Sequence, residues 1–79
     1  MRLVDMSPEV QRYGYGLLDR MGQLMAEYGI LDVSEAATEA RVAAAGARRA
    51  EVGQAVAEVK DCIARLGRLF ATGEVPERA

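Results

Sequence analysis

The chain has no histidine, no tryptophan and a single cysteine. Without histidine there is no imidazole to act as a general base near neutral pH. Nor is there a Cys/His zinc site, or the inward Glu-x-x-His motif of metal-binding bundles. With Cys62 alone, no intrachain disulfide can form, and the thiol reads as a small buried hydrophobe. A basic excess is also missing: ten basic residues face twelve acidic ones, for a net charge of −2. That balance argues against a general nucleic-acid binder. No apolar run approaches the roughly 20 residues of a membrane span. The opening Met1–Met6 is too short for the apolar core of a signal peptide. Gly14-Tyr15-Gly16 sits inside an amphipathic stretch, not at a strand-to-helix turn, so no phosphate loop is present. These absences leave no catalytic residue, metal ligand or cofactor to assign. The expectation is a cytoplasmic, non-enzymatic protein without a membrane anchor.

What the chain does have is helical rhythm. Val52, Val56, Val59, Ile63, Leu66 and Phe70 follow one another at gaps of four, three, four, three and four. Such spacing lines six side chains along one helix stripe. Its flanking positions are small or apolar, with Lys60 the only charge, where a two-stranded coil would carry Glu and Lys. A broad face of this kind suits a helical bundle. Gly46, Gly53 and Gly67 share one heptad position, which predicts close approach of another backbone at those points.

Seventy-nine residues allow one small domain, 1–79, with residues 1–6 as a lead-in and 74–79 as a frayed tail. The lead-in can fold back on a helix end or pair with a partner. Ser7-Pro8-Glu9 predicts a helix start: a capping serine, a proline at the first helical position, and an acid against the helix dipole. The first helix is expected over about 8–28, with Gly29 closing it. Its stripe is Val10, Gly14, Leu17, Met21, Leu24 and Tyr28. A turn follows, with Asp32 or Ser34 as the next cap and Glu35 able to reach back to it. The second helix is expected over about 34–71, ending at Thr72-Gly73. Its first part, Glu35–Ala50, holds eight alanines.

The fold class is therefore all-α, an antiparallel helical hairpin. The short helix would lie along the Ala-rich half of the long one, leaving the Val52–Phe70 stripe uncovered. An exposed apolar patch of that size requires a remedy. Two copies can pair into a four-helix bundle, or the long helix can break near Gly46 into a three-helix bundle. Pairing is favoured because Ala45-Gly46-Ala47-Arg48-Arg49 contains no Pro, Asn or Asp to form a turn.

The function implied is contact: a homodimeric module that binds a larger protein, as small inhibitors, adaptors, chaperones and antitoxins do. Self-association falls to the six-residue stripe. Partner contact falls to Tyr15 with Arg12 on the outward face of the first helix, or to Arg41, Arg48 and Arg49. Those three arginines also carry the alternatives: sequestering a nucleotide or other anion, or gripping nucleic acid. A structural subunit of a larger assembly is the third reading.

Overall fold

The computed structural model describes residues 2–76, and all the regular structure it contains there is helical. A 3-10 turn at Leu3–Asp5 precedes α1 (Pro8–Tyr28). Then come α2 (Glu35–Ala45), a second 3-10 turn at Gly46–Arg48, and α3 (Arg49–Thr72). Local chemistry sets most of these limits. Ser7 Oγ accepts the Val10 amide at 3.4 Å, satisfying one of the donors left open at a helix start. Gly29 and Gly73 close α1 and α3 in the left-handed region, at φ 63° and 71°. Ser34, not Asp32, caps α2 by accepting the Ala37 amide. Asp32 instead accepts the Ser34 amide at 2.7 Å and shapes the turn before it.

The continuous second helix expected from the sequence is interrupted. Gly46 has φ 60° and ψ −118°, a conformation that only glycine enters without strain. Its role is thus to break the helix, not to admit a neighbouring backbone. Gly53 and Gly67 also differ from expectation: a Cβ added at either would meet nothing within 4 Å. Close approach occurs instead at Gly14, where an added Cβ would stand 2.7 Å from Leu3 Cδ1.

The break redirects the packing. α1 lies against α3, not along the Ala-rich segment. Facing residues have numbers that sum to 78 or 79: Tyr13 with Arg65, Arg20 with Glu58, Tyr28 with Glu51. The two helices are therefore antiparallel. α2 also packs on α3, so α3 is the element that both others share. The physical reason lies in side-chain size. α3 presents Val and Leu to a neighbour, whereas α2 presents mainly methyls, and burial is worth about 25 cal/mol per Å² of apolar surface. α1 gains more by covering α3.

Two apolar clusters result. Leu24, Ile30, Ala55, Val56 and Val59 form one, with Met21, Met25, Tyr28 and Val33 against it. Leu3, Met6, Val10 and Leu69 form the other, with Tyr13 and Val75 alongside. The lead-in thus folds back on its own chain, and Gln11 holds it by donating to the Val4 and Met6 carbonyls. In the tail expected to fray, Val75 packs on the second cluster; residues 77–79 lie outside the described ones. Among the described residues, no helix is long and apolar enough to cross a membrane.

Candidate functional site

The sequence stripe divides once folded. Val52, Val56, Val59 and Leu66 are buried within the single chain and are not open to another molecule. Ile63 and Phe70 keep 46% and 47% of their surface exposed. Their exposure follows from helix lengths. α2 has 11 residues, about 16 Å, while α3 has 24, about 36 Å. Joined to the start of α3, α2 leaves the C-terminal half of that flank bare.

Around that half of α3 the outward residues sort by chemistry. At about 100° per residue, Glu58, Asp61, Arg65, Arg68 and Thr72 fall in one polar arc. Lys60, Ile63, Ala64, Gly67, Phe70 and Ala71 fall in another, all exposed, with a single charge among them. The polar arc is tied to α1. Arg20 grips Glu58 through two nitrogens, at 2.7 and 3.2 Å. Arg65 donates to Asp61 at 2.7 Å and to the Tyr13 hydroxyl at 3.1 Å. The Arg20 guanidinium, hydrogen-bonded to Glu58, holds that carboxyl below its ordinary pKa. Leu18, 41% exposed, lies about 160° around α1 from Arg20 and so borders the apolar arc. Cys62 lies inside, 4% exposed, and burial pushes its thiol pKa up. A thiol in that state is a poor nucleophile.

The arginines separate. Arg41 and Arg48 line a hollow of about 670 Å³ between the end of α1, α2 and the start of α3, walled by Ala37, Ala40, Ala44 and Val52. Both already have structural partners. Arg41 donates to the Tyr28 carbonyl at 3.1 Å, at the open C-terminal end of α1. Arg48 donates to Glu51 at 2.7 Å and stands 5.5 Å from the Tyr28 ring centroid. The Tyr28 hydroxyl donates to the same Glu51 carboxylate. These bonds, Arg48 first and Tyr28 second, hold the Glu51 pKa below its ordinary value. The hydrogen bond to Glu51, with partial burial and the Glu51 charge behind it, pushes the Tyr28 phenol up against the opposing charge of Arg48. Arg49 lies elsewhere, beside Thr38, Glu39, Val42 and Gly46 on another side of α2. Arg12 and Tyr15 are exposed on α1, several turns from the hollow.

The fold therefore joins two of the three arginines and keeps Arg49, Arg12 and Tyr15 apart from them. Sequence reasoning missed Tyr28 as the hub of the three-helix junction. It also missed the sorted arcs of α3, which the spacing of Glu58, Asp61, Arg65 and Arg68 would have revealed. Comparison with protein-family models, curated proteins and solved structures finds no match.

Proposed function

We propose that the chain is a non-catalytic protein–protein interaction module whose working surface is the apolar arc of α3. One observation carries the reading: two large apolar side chains, Ile63 and Phe70, stand half-exposed in an arc with one charge. Exposed apolar groups grouped on one face mark contact surfaces more often than isolated ones do. The neighbouring core is complete without them, so the chain can hold its fold while offering them. Arg12 and Tyr15, on the outward face of α1, offer a separate polar and aromatic contact for a larger partner. Adaptors, inhibitors, small chaperones and antitoxins are the functional types with this economy of parts.

The test is affinity capture from the native host with mass measurement of the complex. Wild type is compared with a variant carrying Ile63→Ser and Phe70→Ser. Because both side chains are half-exposed, the variant keeps its helical circular dichroism and loses its partners. Identical captured proteins and identical native mass for the two would refute the reading.

The hollow between the helices favours a second reading, sequestration of a small anion with an apolar body. Its walls are methyls and two guanidinium groups reach it. Titration with inorganic phosphate and with ATP tests this: a rise in melting temperature that Arg48→Met removes would support it, and no rise would reject it.

A further inference from the structure

The apolar arc of α3 points to a definite occupant. We infer that it receives the same arc of a second copy, with the two α3 helices antiparallel about a twofold axis between Leu66 and Gly67. This rests on reading the arc as a contact surface and names what fills it.

The register follows from which residues are left over. Ile63 and Phe70 are seven positions apart and share one flank, with Gly67 between them. A twofold axis midway between them sets Ile63 of one copy against Phe70 of the other, twice over. Each large side chain then meets a large one, across a point where Gly67 offers no side chain to hold the helices apart. A parallel pairing would stack Phe70 on Phe70 and Ile63 on Ile63, with both copies' charges repeated side by side.

Charge selects the antiparallel arrangement. Lys60 is the single charged residue of the arc, and it makes no ion pair among the described residues. In the antiparallel register it lies level with Gly73 of the second copy, where α3 ends. That helix end carries partial negative charge from its open carbonyls. One residue further on, Glu74 is exposed, and its carboxylate also has no ion pair among the described residues. Lys60 of one copy thus comes level with the C-terminal end of α3 and with Glu74 of the other. In a parallel pair, Lys60 would face Lys60. The interface is isologous, so the ion pair occurs twice, as twofold symmetry requires.

Sedimentation equilibrium over about 5–500 µM reads the outcome, because a contact at the small end of interface sizes dissociates in the micromolar range. Wild type is expected to pass from monomer to dimer within that span. Lys60→Glu and Glu74→Lys, each alone, place like charges together and weaken the dimer about tenfold, two pairs being lost at once. The double variant restores it to near wild type. Cross-linking fixes the register independently. In a Cys62→Ala background, chains with Ile63→Cys mixed with chains with Phe70→Cys form mainly the mixed disulfide dimer.

Self-paired disulfides in place of mixed ones would overturn the antiparallel register. So would charge reversals that weaken the dimer without rescue in the double variant. A wild type that stays monomeric up to about 500 µM would overturn the second copy as occupant. Partner capture that still depends on Ile63 and Phe70 would in that case leave the contact surface standing, so the two failures are told apart.

Discussion

Ile30 and Leu31 are adjacent aliphatic residues in the link between α1 and α2, and the fold treats them oppositely. Ile30 is wholly buried, at 0% exposure, whereas Leu31 is 89% exposed. Ile30 follows the left-handed Gly29, and its amide donates to the Met25 carbonyl at 2.9 Å. That bond swings the side chain under the helices, against Leu24, Val56 and Val59. Ile30→Ala removes three carbons. At about 0.8 kcal/mol each the transfer loss is roughly 2.4 kcal/mol, and an incompletely closed cavity raises it toward about 4 kcal/mol. Stability for a chain of this size is expected at about 4–12 kcal/mol, so this one substitution removes a large share. Leu31→Ala should stay within about 0.5 kcal/mol of wild type. Urea unfolding followed by circular dichroism reads both. With a slope of about 1 kcal/mol per molar, the Ile30→Ala midpoint falls by about 2–4 M while that of Leu31→Ala barely moves. Should Ile30→Ala fail to fold, Ile30→Val gives a gentler loss of about 0.5–1.5 kcal/mol. Equal costs for the two positions, or a larger cost at Leu31, would refute the packing of this link and with it the placement of α2.

The break, the helix glycines and the carboxylates give further tests. Gly46→Ala forces a side chain into a conformation at φ 60° and ψ −118°, and should cost about 1–3 kcal/mol. An unchanged or raised urea midpoint would show that α2 and α3 do not bend there. Gly16 and Gly22 lie in open helix where an added Cβ meets nothing within 4 Å, so alanine at each should stabilise by about 0.5–1 kcal/mol. Gly14→Ala should forfeit that gain because Leu3 occupies the space; equal gains at all three positions would mean the lead-in is not seated. Glu51 and Glu58 are both held below their ordinary value of 4.5 in the folded chain. The stability they contribute is therefore complete above that value and fades as pH falls through the depressed one. Glu58→Gln should flatten the fall of melting temperature below about pH 4.5. Superimposable acid limbs for wild type and variant would remove the Arg20 pair from the account.

Residue order alone determined the helical class and most helix ends, though not the division of the second helix into α2 and α3. Ser7, Gly29 and Gly73 act on backbone groups within four residues of themselves, so their effect can be read without knowing the fold. The amphipathic rhythm of α1 and α3 is local in the same sense. It marked all six residues from Val52 to Phe70 as one apolar stripe and assigned their cover to a second copy, whereas Val52, Val56, Val59 and Leu66 are buried within the single chain. The tertiary structure decided the cover. Gly46 is compatible with a helix interior and with the positive-φ bend it adopts, and only the gain from packing α1 and α2 on α3 selects the bend. That choice moved α1 from the alanines to the valines and placed four stripe residues in the chain's own core. Ile63 and Phe70 remained outside because α2 is shorter than α3. Burial depends on which surfaces meet across dozens of residues, and no spacing rule within one helix contains that distance.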